Sequence, residues 1–427
     1  MADTVARLLS GDFRDPDDGQ PLVAPIRSVV IEDSLAGREA DLVGALDLGG
    51  RLAVVSDATT QRVMGRRIEQ ALGPIAEVQS IVLPDHPEPD LETVDRLCTA
   101  TADADALVAV GSGTINDLCK YASASDGKPF AVFATAPSMN GYTSVNAAIT
   151  VEGHKKSLPA QAASGVFFDL EVLAAAPVRL IRAGLGDSVC RCTAQADWLL
   201  AHLLLGRPYR AAPFALLAED EPYLLDAPEA LVGGDLEAIR RLVRTLVLSG
   251  FGMTLCGGSD PASQGEHLIS HYADMMADPA WAQNFHGEQI GVTTLFMAGL
   301  QARLLDGPPP RLRSCALGEA TLIDHFGGEL GRSCWQEFRQ KRVDPGAAFQ
   351  LNQRLAERWD EICQQIAAIH RPPQQLREIL VRAGAATGPE ALGWPRTFYG
   401  EAMQHAREIR NRYTFLDLAA DGGALDR

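Results

Sequence analysis

Hydrophobic and polar positions change rhythm partway along the chain. Between positions 51 and 135, short apolar runs alternate with stretches of helical spacing. Residues 52–55 form a run that ends at Asp57, after which Met64, Ile68 and Leu72 recur at helical intervals. A second run covers 78–83. Leu91, Val94, Leu97 and Thr101 then continue a helical stripe behind Pro89, a residue the first turn of a helix tolerates. A third run, 106–110, enters a glycine-bearing turn and a helix through Tyr121, and a fourth covers 130–134. Four strands with helices between them predict a parallel sheet with helices packed on its faces.

Past about Pro177 the apolar positions spread over longer amphipathic segments. Asp235 is placed to cap a helix whose Leu236, Ile239, Leu242, Val243, Leu246 and Val247 form one stripe. Further helices are expected to begin near Pro261, Glu288, Pro345, Pro373 and Thr397. The pattern thus predicts an α/β nucleotide-binding domain with a parallel sheet over 1–176 and an all-α domain over 177–427. Residues 12–25, rich in Pro and Asp, are expected as an exposed lead-in. A chain of 427 residues that is 46% apolar has the material for two cores.

Composition removes some functions. A formal net charge of −17 repels polyanions, which argues against nucleic acid or an anionic membrane surface as the main partner. No run approaches the roughly 20 apolar residues of a bilayer span. The first residues lack the basic-then-apolar order of an export signal, so a cytoplasmic address is expected. Cysteines at 98, 119, 190, 192, 256, 315, 334 and 363 show no C-x-x-C spacing, as expected of reduced thiols.

Two sets of residues carry candidate chemistry. The first is Gly111-Ser112-Gly113-Thr114-Ile115-Asn116-Asp117, which follows a strand and opens a helix. Small residues there let backbone N–H groups approach a pyrophosphate, and the helix N-terminus favours the negative charge. The same segment also reads as an ordinary tight turn. Asp57, at the carboxyl end of its strand, is placed to accept hydrogen bonds from a ribose diol and to disfavour a 2′-phosphate, which favours NAD over NADP. Its alternative role is to cap the following helix.

The second set has the composition of a metal site: Asp187 in Ala-Gly-Leu-Gly-Asp, His267 with His271, and His286 in Phe-His-Gly-Glu. One carboxylate and two imidazoles suit a divalent ion such as Zn, Ni or Fe and leave positions open for a substrate oxygen, as Lewis-acid catalysis requires. His267 and His271 stand at i and i+4, so both face one side of a helix. One of them suffices for the metal, and the other is free to hydrogen-bond substrate or relay a proton. Taken singly, each histidine also reads as an ordinary hydrogen-bonded residue, the reading given to His202 and His405.

Together these segments resemble the sn-glycerol-1-phosphate dehydrogenases, within the superfamily of iron-containing alcohol dehydrogenases, glycerol dehydrogenases and dehydroquinate synthases. The resemblance runs in order through VVSDATT at 54–60, GSGTINDLCKYAS at 111–123, TAPSMNGYTSVNAAI at 135–149, KKSLPAQ at 155–161, AGLGDSVCRCTAQADWLLA at 183–201, GEHLISH at 265–271, HGEQIGV at 286–292 and AREIRNRYTFLDLAAD at 406–421. It implies a nucleotide-binding domain, a helical metal domain and an active site in the cleft between them. It implies metal ligation by Asp187, His267 and His286, with Asp187 and His271 also touching substrate. NAD or NADP would meet Asp57, Gly113 to Asp117, Thr135, Ala136, Pro137, Ser138 and Ser144.

The sequence departs from the family pattern at Asn140, where the family carries an aspartate that grips a substrate hydroxyl. Asn140 donates and accepts hydrogen bonds but cannot act as a general base. Ser112 stands where a third glycine is usual, and Arg191 replaces a usual lysine. The expected reaction is hydride transfer between nicotinamide and C2 of dihydroxyacetone phosphate or sn-glycerol 1-phosphate, with Asn140, Asp187 and His271 at the reacting groups. Lys155 or Lys156 is placed to neutralise the substrate phosphate, or to sit in a solvated turn. Rival expectations are a dehydrogenase for another hydroxylated metabolite, a lyase of the dehydroquinate synthase type, and a non-catalytic binder of NAD and metal. A homodimer or larger homo-oligomer is implied by the same resemblance.

Overall fold

A computed structural model describes residues 3–281 and 283–425. The chain packs as two compact units, the first made of Met1–Val151, Lys156–Ser188 and Ala211–Ser259, the second of Glu152–Lys155, Val189–Arg210 and Asp260–Arg427. The first unit is built on a parallel sheet in the order Ser28–Glu32, Gly165–Asp169, Phe130–Ala134, Ala106–Gly111, Arg51–Asp57, Glu77–Leu83. Val54 pairs with Val108, Val108 with Ala131, Val132 with Val166, and Val166 with Val29. The four inner strands are apolar on both faces because helices cover both, whereas the edge strand Glu77–Leu83 exposes residues along its length.

Six strands form the sheet where the apolar runs predict four. Ser28–Glu32 and Gly165–Asp169 each contribute only five residues and pair with distant partners, so no local alternation with helices marks them. The stretch from 12 to 25 is also corrected. It forms a short antiparallel pair, Phe13–Arg14 with Pro21–Leu22, and buries Phe13, Asp15, Leu22 and Ala24. The helical stripe at 64–72 contains a π turn at Gln61–Gly65, and the Pro89 stripe begins at Leu91 with Asp90 as its cap. Glu152 and Gly153, between strands Asn146–Val151 and His154–Pro159, both have positive φ, 52° and 77°, as a two-residue turn between adjacent strands requires.

After Pro177 every regular element is helical. Asp235 caps Leu236–Cys256 by accepting from the Ala238 N–H, and Asp344 caps Pro345–Ala367 with proline in the first turn. Helix Leu236–Cys256 packs on Leu170–Ala174 and the turn Gly141–Thr143, within the sheet-bearing unit. The helix expected near Pro261 starts instead at Gly265, whose N–H donates to the Asp197 carboxylate at 2.9 Å. The core of the second unit centres on residues such as Leu200, Ile269, Met297, Phe338, Trp359 and Phe415. All eight cysteines are free thiols, and among the described residues no helix is long and apolar enough to cross a membrane.

Candidate active site

In the sheet-bearing unit, strand Ala106–Gly111 turns through Ser112 directly into helix Gly113–Asp126. The first N–H groups of a helix lack intrahelical acceptors, and here they belong to Gly113, Thr114 and Ile115. Gly111 is required by packing: a Cβ there would lie 2.5 Å from the Ile115 Cβ. Ser112 has φ −102°, so a serine takes the place of a glycine without backbone strain.

The adjacent loop contributes Thr135, Ala136, Ser138 and Ser144, all buried. Three elements hold it. A Cβ on Gly184 would stand 1.8 Å from the Pro137 carbonyl oxygen, and one on Gly250 would stand 2.5 Å from the Asn140 carbonyl oxygen. These two glycines let two helices touch the loop's backbone directly. Thr143 Oγ1 donates to the Val247 carbonyl at 2.7 Å, and Thr254 Oγ1 donates to the Thr143 carbonyl at 2.8 Å. From the third side, Lys120 reaches under the loop with Nζ fully buried, donating to the Gly141 carbonyl at 2.5 Å, Ser144 Oγ at 3.1 Å and the Asn146 carbonyl at 3.1 Å. Burial draws the Lys120 pKa down to about 8, with Asp117 acting in the opposite sense.

Asn140 and Asp187 meet in this unit: the Asn140 N–H donates to Asp187 Oδ2 at 2.9 Å, and the Asn140 amide donates to Ser249 Oγ at 3.3 Å. Asp187 is buried in the last turn of helix Val178–Val189. Asp57 takes the capping role weighed for it, its Oδ1 accepting the Thr60 N–H at 2.7 Å.

The helical unit gathers the three histidines. His267 and His271 lie on Gly265–Met276, and His286 opens His286–Leu305. Their ring centroids are 5.0 Å apart for His267 and His286, 5.9 Å for His271 and His286, and 6.1 Å for His267 and His271. His267 Nδ1 donates to the buried Glu266 carboxylate at 2.9 Å, which fixes Nε2 as the lone-pair nitrogen. Glu266 also accepts from Thr193 Oγ1 at 3.1 Å and from the Gln264 N–H at 2.9 Å. Cys190, Glu266 and His267 offer donor atoms within 4.8 Å of one another. With Glu266 committed to three donors, that group reads as support for His267.

His271 Nδ1 lies 3.4 Å from Arg410 Nη2. Burial first, then the positive charges of Arg410 and Lys155, hold the His271 pKa well below the imidazole range. A neutral His271 accepting at Nδ1 carries its proton on Nε2. Lys155 forms an ion pair with Asp274 at 2.5 Å, and Lys156 is half-buried on the next position of the same strand. The sequence reading missed Lys120, Gly184, Gly250, Glu266 and Arg410. All but Gly250, which sits within helix Leu236–Cys256, lie inside a motif, and only packing distinguishes them.

Comparison with known proteins identifies the family. The family model described as "Iron-containing alcohol dehydrogenase" matches residues 30–177. A glycerol-1-phosphate dehydrogenase [NAD(P)+] of Bacillus licheniformis is 34% identical over 88% of this chain and 84% of its own length. The enzyme of the same description from Thermococcus kodakarensis is 33% identical over 64% of this chain and 77% of its own. The crystal structure of glycerol dehydrogenase from Schizosaccharomyces pombe superposes with a TM-score of 0.62 at 18% identity, covering 97% of this chain and 92% of that one, a likeness of fold. On the extent of the first two matches, this chain belongs to the glycerol-1-phosphate dehydrogenase family of iron-containing alcohol dehydrogenases.

Proposed function

We propose that this chain is a metal-dependent, NAD(P)-linked oxidoreductase that interconverts dihydroxyacetone phosphate and sn-glycerol 1-phosphate. The observation that carries the reading is the convergence of three imidazoles in the helical unit, with His267 backed by the buried carboxylate of Glu266. Asp187, His267 and His286 form the ligand set, a carboxylate and two imidazoles suited to Zn, Ni or Fe. Cys190 Sγ is within 4.8 Å of the His267 and Glu266 donors, beside the lone-pair imidazole of the proposed set.

When bound, the ion polarises a carbonyl oxygen as a Lewis acid and the dinucleotide supplies the hydride. The chain's own residues do the rest. The N–H groups of Gly113, Thr114 and Ile115 receive the pyrophosphate, and the space that a Cβ on Gly111 would deny to Ile115 keeps the turn tight enough to present them. Thr135 to Ser138 and Ser144 line the dinucleotide on the loop that Lys120 supports. Neutral His271 donates a hydrogen bond from Nε2–H to the oxygen that becomes the C2 hydroxyl, and the proton for that oxygen comes from solvent water. Asp57 at its strand end disfavours a 2′-phosphate.

The direct test loads the purified protein with Zn, Ni or Fe and follows NADH and NADPH oxidation with dihydroxyacetone phosphate and a panel of other small ketones. Metal-dependent oxidation with dihydroxyacetone phosphate is expected. Binding of dinucleotide without net oxidation by any ketone would refute the reading. Asn140 favours one second reading, a dehydrogenase for another hydroxylated metabolite, which the same panel separates. The proposal includes a cytoplasmic address and a homodimer or larger homo-oligomer, open to fractionation and light scattering.

A further inference from the structure

Three cations cluster here in the helical unit: Lys155 and Arg410 act on His271, and Arg412 acts on Arg410. Two are matched by carboxylates. Lys155 Nζ is 2.5 Å from Asp274 Oδ2, and Arg412 Nε is 3.6 Å from Asp260 Oδ1. Arg410 has no carboxylate within ion-pair distance among the described residues. Its contacts are the Lys155 carbonyl, to which Nη2 donates at 3.1 Å, and His271 Nδ1 at 3.4 Å. Neither carries negative charge.

The arginine three positions earlier shows what a structural role looks like in the same segment. Arg407 Nη1 lies 3.0 Å from Asp421 and 3.6 Å from Asp417, and all three residues are buried. A guanidinium withdrawn from water without a counter-charge is costly unless an anion completes it. Burial first, then Arg412, draws the Arg410 pKa down to about 10 against the more distant carboxylates of Glu337 and Asp260, neither within ion-pair distance, so it stays cationic at neutral pH. Both contacts use Nη2, which leaves the N–H groups of Nε and Nη1 as donors for an anion's oxygens. Arg410 retains partial exposure, so a small ligand can reach it. The unmatched charge also stands out in a chain of net charge −17.

Resting on the proposed function, we infer that Arg410 is the phosphate-binding residue: its guanidinium takes the phosphoryl group of the substrate and thereby sets the carbonyl end against His271. The phosphate role weighed for Lys155 or Lys156 in the sequence is assigned to Arg410, which contacts His271 directly, and Asp274 already neutralises Lys155. A dianionic phosphoryl group brings both the negative charge and the acceptor oxygens that the Nε and Nη1 donors lack, and an unphosphorylated polyol brings no charge.

The test uses the full-length, metal-loaded enzyme and two variants, Arg410→Gln and Arg410→Lys. The readout is the ratio of kcat/KM for dihydroxyacetone phosphate to kcat/KM for dihydroxyacetone. Arg410→Gln is expected to lower that ratio by roughly 10- to 100-fold, the loss of a charge-assisted pair of hydrogen bonds, chiefly through KM. Arg410→Lys, which keeps the charge with fewer and differently placed donors, is expected to fall between Arg410→Gln and the parent. A ratio within about threefold of the parent in both variants would overturn the inference, because binding of this kind is worth more than that. Inorganic phosphate, titrated calorimetrically, supplies the independent arm. Binding to the parent and not to Arg410→Gln upholds the anion site even if neither ketone is turned over, an outcome that would instead refute the proposed reaction. Equal binding of phosphate to both proteins, or to neither, removes the site.

Discussion

The two units assign their chemistry to different parts of the chain. In the sheet-bearing unit the candidate dinucleotide surface is backbone, and what shapes it is the absence of side chains at Gly111, Gly184 and Gly250. In the helical unit the candidate metal surface is imidazole, and what shapes it is a second layer of buried polar groups. Glu266 holds His267, and Asp197 accepts from the N–H groups of Gly265 and Phe415 at 2.9 Å each. Lys341 pairs with Asp417 at 2.9 Å in the same interior. A backbone site fails when volume is added. A side-chain site fails when a partner is removed.

The largest effect separates the units outright. His267→Ala and His286→Ala are each expected to reduce kcat by at least about 100-fold through loss of transition-state charge stabilisation, while NADH affinity by fluorescence titration stays within about threefold. Retained activity in both, or a parallel loss of NADH binding, would break the comparison. Next comes added volume in the other unit. Gly184→Ala puts a Cβ 1.8 Å from the Pro137 carbonyl oxygen, and backbone on both sides must move. A loss of about 1–3 kcal/mol in urea unfolding, with weakened NADH binding, is expected. Gly299→Ala is the control, because its Cβ meets nothing within 4 Å in the interior of a helix. That substitution is expected to be neutral or to stabilise by about 0.5–1 kcal/mol.

Glu266→Gln sharpens the claim about the second layer. The amide keeps the shape and loses the charge that makes His267 a more basic ligand. Metal affinity, measured by competition with a chelator, is expected to fall about 10- to 100-fold with little change in NADH affinity. Unchanged metal affinity would reduce Glu266 to a packing residue.

Legibility differed between the units for the same reason that their sites do. The inner strands at 52–55, 106–110 and 130–134 were readable because burial on both faces leaves an unbroken apolar run. Gly165–Asp169 is equally buried, yet it comes after a pair of short strands and bonds to Ser28–Glu32 far back in the chain, and no local pattern reports such pairing. His267 and His271 declared themselves by i, i+4 spacing. Glu266 did not, because a carboxylate one residue before a histidine has no periodic relation to it; the Nδ1 contact exists only once Thr193 and Gln264 hold the carboxylate in place. Arg407 and Arg410 look alike in sequence, and only folding pairs Arg407 with Asp417 and Asp421 while Arg410 meets His271.

Lys120 gives the smallest effect and the finest test, since it is the ionisable group on which the backbone site depends. Its folded pKa of about 8 lies below the ordinary lysine value of 10.5, with burial as the main cause. Below about pH 8 both folded and unfolded chains hold the proton, and the full cost of burying the charge is present. Between about 8 and 10.5 the unfolded chain binds more protons than the native one, so this group's contribution to stability rises with pH across that window. Lys120→Met removes the titration while keeping the length of the side chain. The urea midpoint of the parent relative to Lys120→Met is therefore expected to rise from pH 8 to pH 10, and NADH affinity of the variant to drop modestly as the loop at Gly141, Ser144 and Asn146 loses its donor. Parallel midpoints across that range would mean that the three acceptors stabilise the ammonium enough to cancel its burial, and that the loop rests on charge as much as on close-packed backbone.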